Sequence, residues 1–325
     1  MKVSSLTLRA HAKVNLSLRV LARRDDGYHE LKTVFQSLAL HDTLRFDAVD
    51  EPLSLRCDVA EVPLDESNLA HRSAQLVWSV AGRSGEPCGR VRITKRIPPQ
   101  GGLGGGSADG AAALVAWNVL WRAGLGPERL ADLAASLGAD VPFFLTGGTV
   151  LGLNRGDELY PLADLSPRWL VLAFPPFGVS TSDAFRWWDE DAARRRRSGG
   201  ADSGVTGSED LRRTRPATVA SSDEPTVGVH CGNALLPVVN ELEAAVIRRH
   251  PEIADIKRRL ERAGAGAAAM TGSGSTVFGL FAGEREARRA RGDLERAGLR
   301  AITTRTATRR QAGLTRSFRP RAPRS

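Results

Sequence analysis

Six glycines fall within the ten residues Gly101–Gly110 (GGLGGGSADG), between an apolar alternation at Val91, Ile93 and Ile97 and the apolar run AAALVAWNVLWRAG. Glycine at that density cannot form a helix interior, where each one costs about 1 kcal/mol relative to alanine. The run that follows can. The order strand, glycine loop, helix is therefore imposed before any other element is placed. Glycine has no Cβ, so its backbone can approach a ligand closely and turn successive N–H groups onto it. A helix beginning near Ser107 adds unpaired N–H donors and the positive end of its dipole, and together these favour phosphate. The common phosphate motifs are absent: there is no GxxxxGK[ST], the GxGxxG spacing from Gly102 and Gly104 fails at Ser107, and neither HRD nor DFG occurs. Taken alone, the loop is equally compatible with a flexible turn or a helix–helix contact.

The rest of the chain has the alternation of a mixed α and β protein. Apolar residues Leu6, Leu8, Val14, Leu16, Leu18 and Val20 predict strands across 6–22, with short strands at 43–49 and 53–58. Ser67-Asn68 opens a helix running to Ala81. A helix over Pro127–Leu137 has proline at its start and Gly138 past its end. Asp140-Val-Pro142 has the form of another helix start with Asp140 as N-cap. RWLVLAF (168–174) is a buried strand. From 189 to 229 the composition turns to Gly, Ser, Thr, Asp and Pro behind Arg194–Arg197, which predicts a flexible insertion. Leu235, Val239, Leu242 and Val246 then form one apolar helix face. A helix–strand–strand–helix–strand series fills 251–304.

The net charge of +9 points toward nucleic acid, but its placement does not. Residues 305–325 hold seven arginines and no acid, so most of the excess sits in a basic tail expected to be disordered. Aromatic residues are not interleaved with these arginines except at Phe318, so a nucleic-acid-binding module is the weaker reading. No apolar run approaches the roughly 20 residues needed to span a bilayer, and MKVSSLTLRAHAK lacks the apolar stretch of a signal peptide. Cys57, Cys88 and Cys231 match no zinc spacing or disulfide framework, which fits a cytoplasmic protein. The histidines likewise show no metal-ligand spacing.

Three segments together resemble the signatures of the GHMP kinases: AHAKVNLSL (10–18), PPQGGLGGGSADGAAAL (98–114) and MTGSGSTVFGLF (270–281), in the family's order. RRDDGYHEL (23–31), LGADVPFFLTGG (137–148) and PPFGVST (175–181) are similar to the branch that phosphorylates the 2-hydroxyl of cytidine-diphosphate methylerythritol, on the non-mevalonate route to isoprenoids. The 190–229 insertion and the tail lie outside the resemblance, and Ala108 stands where the family often has serine.

The resemblance implies a two-lobed α+β fold. A ribosomal-protein-like βαβ sandwich (1–165) would bind ATP, and a ferredoxin-like domain (166–304) would carry the insertion. It implies Mg²⁺ with the nucleotide and a small-molecule acceptor, in a monomer or homodimer. Asp140 would take the acceptor's hydroxyl proton, and Lys13 would hold that carboxylate and offset charge on the γ-phosphoryl group. Pro98, Pro99, Gln100, Gly101, Gly102, Leu103, Gly104, Gly105, Gly106, Ser107 and Ala108 would bind ATP. Asn15, Tyr28, His29, Phe185, Gly272, Ser273 and Gly274 would bind the acceptor, with Tyr28 and Phe185 against the pyrimidine. From spacing alone, Asp140 is better explained as a helix cap and Lys13 as a solvated strand lysine, and only the joint match of the motifs reverses that; homoserine, mevalonate and sugars remain possible acceptors.

Overall fold

A computed structural model describes residues 4–99, 101–197, 228–232 and 234–315. In chain order its strands and helices are β1 (Ser5–Arg23), β2 (His29–Pro52), β3 (Ser54–Cys57), α1 (Leu69–Val80), β4 (Cys88–Thr94), α2 (Gly105–Leu120), α3 (Pro127–Leu137) and α4 (Val141–Thr146). There follow β5 (Thr149–Leu153), β6 (Glu158–Pro161), β7 (Trp169–Phe174), α5 (Thr181–Arg197), β8 (Gly228–Cys231), β9 (Ala234–Pro237) and β10 (Val239–Asn240). The chain continues through α6 (Glu243–Ile247), α7 (Glu252–Arg262), β11 (Ala267–Met270), β12 (Val277–Phe281), α8 (Glu284–Arg296), β13 (Arg300–Arg305) and α9 (Arg309–Ala312).

Two sheets stack face to face, and each has helices on its outer side. The first runs β10-β1-β2-β4-β3, with β5 and β6 added beyond β2. The second runs β11-β12-β7-β13 with antiparallel neighbours, the ferredoxin-like order. Three apolar layers result. Leu44, Phe46, Val91 and Ile93 pack on Ala112, Leu114 and Trp117 of α2. Val14, Leu16 and Leu38 meet Leu170, Leu172, Phe278 and Leu280 between the sheets. Val171 and Ala173 face Ile256 and Leu260 of α7 and Ala287 and Leu294 of α8.

This stacking explains where simple alternation fails. Every residue of β1 from Ala12 to Leu18 is buried, because a second sheet covers the face that solvent would otherwise wet. A register shift between His11 and Lys13 exchanges the faces. Leu8 and Ala10 pack toward the helices, whereas Ala12, Val14 and Leu16 pack on the second sheet. Such a bulge re-aims every residue after it, so Lys13 and Asn15 turn to the side on which α2 begins.

Several expectations are corrected. Residues 43–49 belong to one 24-residue strand, β2. The apolar spacing of Leu235, Val239, Leu242 and Val246 is not a helix face: 234–237 and 239–240 are strands, and only Glu243–Ile247 is helical. Pro237 has no N–H to continue a helix, and β10 is drawn into parallel pairing with Ser17 and Leu18 of β1. The insertion does not begin at 190, because α5 runs to Arg197; residues 198–227 lie outside the described residues. The tail does not begin at 305. Arg305 closes β13, Ala307 N–H donates to Ser37 O at 2.8 Å, and Arg309 Nη2 donates to Leu162 O at 2.7 Å. Leu314 joins the first apolar layer. Residues 316–325 lie outside the described residues. Arginine content misled there because Arg309 spends its guanidinium on backbone carbonyls.

Candidate active site

The glycines of the 101–106 loop are set by contact. Gly102 and Gly104 both have φ +71°, and a Cβ on them would lie 2.9 Å from Thr271 O and 2.5 Å from a Phe144 ring carbon. No other residue fits either place. Gly104 precedes α2, whose first N–H groups, on Gly105, Gly106 and Ser107, have no carbonyl one turn back to bond. A Cβ on Gly106 would meet nothing within 4 Å. Open space in front of free donors at a helix N-terminus is an arrangement that suits an anion.

The second glycine loop braces the first. Thr271 and Gly274 carbonyls lie against Gly102. Asn240 Nδ2 donates to Met270 O at 2.7 Å and Gly272 O at 2.8 Å, and Glu243 Oε2 accepts Met270 N–H at 2.7 Å. Thr271 Oγ1 accepts the Asn15 N–H at 2.9 Å, which ties this loop to β1.

Lys13 stands where these pieces meet. Its N–H donates to Leu103 O at 3.0 Å, its Cγ lies 3.2 Å from the Cβ position of Gly104, and its side chain is 5% exposed. Nζ donates to Asn15 Oδ1 at 2.8 Å and lies 3.3 Å from Asp140 Oδ2. Asn15 is held in turn by Thr33 Oγ1 at 2.7 Å. Asp140 occupies the N-cap position of α4 without making a side-chain cap bond. Its carboxylate is directed at Lys13 and is 39% exposed. The capping explanation of Asp140 is thus set aside.

A cleft of about 1510 Å³ opens over this pair. Lys13, Asn15, Pro98, Pro99, Gly101–Ser107 and Asp140 line it, as do Tyr28, His29, Phe185, Gly272 and Ser273. His29 is buried. Its ring stacks on Phe185 at 4.7 Å, meets Trp188 edge-on at 5.7 Å, and its Nε2 is 2.8 Å from Asp189 Oδ1. Tyr28 is 59% exposed, with the Arg155 guanidinium 5.3 Å from its ring centre. Gln100 lies outside the described residues. Ala108 is not brought to the cleft: its N–H bonds Gly104 O at 2.8 Å and its methyl is in the core. Gly274 also stays out of the lining, its Cα facing Met270.

Sequence reasoning missed Lys95, Asp42 and Asp109. Lys95 Nζ is 2.5 Å from Asp42 Oδ2 and 2.9 Å from Asp109 Oδ2, and Lys95 and Asp109 line the glycine-loop end of the cleft. The one available signal was a lysine in TKRIPP, just past the end of β4 in the segment feeding the glycine loop.

Comparison with known proteins follows the same division. The GHMP kinases N terminal domain matches residues 68–148, and the GHMP kinases C terminal domain matches residues 224–300. A homoserine kinase from Cytophaga hutchinsonii, 19% identical, shares the fold with a TM-score of 0.64 over 96% of this chain and 97% of that one. The architecture is that of the GHMP kinases. A 4-diphosphocytidyl-2-C-methyl-D-erythritol kinase from Moorella thermoacetica is 43% identical over 93% of this chain and 99% of its own length. Another from Pelotomaculum thermopropionicum is 40% identical over 93% and 98%. A crystal structure of 4-(cytidine 5'-diphospho)-2C-methyl-D-erythritol kinase, 34% identical, superposes with a TM-score of 0.71 over 93% and 99%. The chain belongs to the 4-diphosphocytidyl-2-C-methyl-D-erythritol kinase family of GHMP kinases.

Proposed function

We propose that this chain transfers the γ-phosphoryl group of ATP to the 2-hydroxyl of 4-diphosphocytidyl-2-C-methyl-D-erythritol, in the cytoplasm, as a step of the non-mevalonate isoprenoid route. The observation that carries the reading is the Lys13–Asp140 pair at 3.3 Å, set between a braced glycine loop and an aromatic-lined cleft. Asp140 accepts the hydroxyl proton as the acceptor oxygen bonds to γ-phosphorus. The bond from γ-phosphorus to the bridging oxygen breaks, and ADP leaves. Lys13 steadies the carboxylate and offsets charge on the transferring group, so catalysis is chiefly placement and electrostatics.

Gly101–Ser107 hold the ATP phosphates through backbone N–H groups, with the Ser107 hydroxyl as an added donor. Asn15, Gly272 and Ser273 hold the acceptor's polyol and diphosphate, and Tyr28, His29 and Phe185 its cytosine. Among the described residues no cluster of three His, Cys, Asp or Glu side chains could hold a metal ion. An Mg²⁺ ion arriving with ATP would supply charge neutralisation for the β- and γ-phosphates. We divide the chain into an ATP-binding domain over 1–165 and a second domain from 166, with the segment after β13 returning to the first.

The test is ADP release with Mg²⁺-ATP and each of four acceptors: the cytidylyl substrate, homoserine, mevalonate and galactose. Turnover with the cytidylyl substrate alone is expected. Turnover with another acceptor would keep Lys13 and Asp140 but discard the base pocket.

A further inference from the structure

Two carboxylates and one ammonium lie buried beneath the first turn of α2. The side chains of Asp42, Lys95 and Asp109 are 0%, 5% and 4% exposed. Asp42 is well supplied with donors: its Oδ1 accepts N–H groups from Arg96 at 2.5 Å and Ile97 at 2.9 Å, and its Oδ2 meets Lys95. Asp109 has Lys95 on Oδ2 alone, and its Oδ1 has no hydrogen-bond partner. With both carboxylates ionised the cluster would hold a net negative charge closed off from water. Two carboxylates sharing one site do not both ionise readily, and the proton belongs on the one with fewer donors, Asp109.

The cluster also touches the anion site. Lys95 Nζ lies 3.3 Å from the Cβ position of Gly105, the first residue of α2. Phosphates arriving at that turn add negative charge beside a carboxyl group able to give up or take a proton.

We propose that binding of a nucleoside triphosphate at the glycine loop is coupled to proton uptake by Asp109, with Lys95 and Asp42 holding that carboxyl group in place under the loop. The inference rests on reading Gly101–Ser107 as the ATP phosphate site. Burial pushes the Asp109 carboxyl up to about 7, against the pull of Lys95 and with Asp42 adding to the rise. Burial opposes the charge on Lys95 too, but Asp109 and Asp42 outweigh it and hold the ammonium above its ordinary range. Other titratable groups nearby reinforce the balance. Cys57 on β3 is pushed up by burial, with Asp58 and Asp109 adding to the rise, and Asp58 Oδ1 accepts the Lys95 N–H at 2.8 Å. From α1, Leu69 and Ser73 face α2 at Gly110, and neither carries charge. Lys13 of β1 lies by Gly104, on the cleft side of the loop.

Linkage fixes the consequences. If nucleotide favours protonated Asp109, then protonated Asp109 favours nucleotide by the same factor. The full chain titrated with Mg²⁺-ADP at pH 8, in buffers of different ionisation heat, is expected to take up about 0.4 proton per nucleotide bound if the bound phosphates raise the carboxyl by about one unit. The KM for ATP is then expected to rise about sixfold from pH 6.5 to 8.5 beyond any change due to the nucleotide's own ionisation. In Asp109→Asn the uptake disappears and that residual pH dependence of KM flattens. Asp42→Asn, which removes the like charge, is expected to reduce the uptake and serves if Asp109→Asn fails to fold. Nucleotide binding without proton uptake by the native chain, or uptake that persists in Asp109→Asn, would overturn the inference and leave the nucleotide site standing. Failure to bind Mg²⁺-ADP at all would overturn both.

Discussion

Two lysines flank the glycine loop, equally buried and put to opposite uses. Lys13 meets one carboxylate at 3.3 Å, on a side chain that reaches solvent, and its other partner is the neutral amide of Asn15. Lys95 is held by two carboxylates at 2.5 and 2.9 Å, both nearly closed off from water. The first arrangement is loose and opens on the cleft, so a substrate hydroxyl can come between carboxylate and ammonium. The second is saturated around its lysine and leaves only the far oxygen of Asp109 unengaged. In the proposed function the first pair exchanges a proton with the acceptor, and in the inference drawn above the second sets the charge beneath the glycine loop.

The sharpest way to break this contrast is to neutralise one carboxylate on each side. Asp140→Asn is expected to lose about 10²–10⁴ in turnover while its KM for ATP and its melting temperature stay close to native. Turnover within a few-fold of native would remove Asp140 from the chemistry. Lys95→Met is expected to act on stability, lowering it by about 3–5 kcal/mol in denaturant titration, because it strands two buried carboxylates without their cation. A Lys95→Met protein as stable as native, with turnover as low as that of Asp140→Asn, would invert the comparison.

Stability against pH separates the two regions further. The folded-state value of about 7 for Asp109 lies above its ordinary 3.8. Between those values the native state binds more protons than the unfolded chain, so the contribution of this group is fully present below about pH 3.8 and is lost as pH rises through about 7. Denaturant midpoints from pH 5 to 8 are expected to fall more steeply in the native chain than in Asp109→Asn. Equal slopes would mean that Asp109 is ionised throughout.

The sequence announced these two regions unequally, for physical reasons. Lys13 and Asp140 stand inside segments whose residues are constrained together: a bulged strand, a tight glycine loop and the start of α4. The 98–108 glycines are legible because Gly102 and Gly104 have no room for a side chain. Asp42, Lys95 and Asp109 come together through the register of β2 against β4, where Thr43 stands opposite Thr94, and through the docking of α2 on that sheet. No local spacing encodes such a meeting. The succession of helices and strands over 251–304 was legible, whereas the ferredoxin-like order of the second sheet was expected only through the family resemblance. The bulge at His11–Lys13 and the return of 306–315 to the first sheet did not, since both depend on the covering sheet rather than on local pattern.

At the acceptor end the expected effects are smaller. Tyr28→Ala is expected to raise the KM for the cytidylyl acceptor about tenfold with little change for ATP, in line with about 1–3 kcal/mol for a stacked base. Equal effects on both substrates would point to a disturbed fold.

Arg155 should matter least. Its guanidinium lies 5.3 Å from the Tyr28 ring centre and its Nη2 is 3.4 Å from Asp157 Oδ2, so it holds an exposed ring in one orientation before substrate arrives. An exposed cation–π contact contributes about 0.5–1 kcal/mol, which predicts a two- to fivefold rise in the acceptor KM for Arg155→Ala (about RT ln 2 to RT ln 5). If ordering Tyr28 is its whole effect, Arg155→Ala adds nothing in a Tyr28→Ala background, because the ring it ordered is gone. Additive losses in the double variant would instead mean that Arg155 meets the acceptor directly, with the diphosphate as the group its charge would serve.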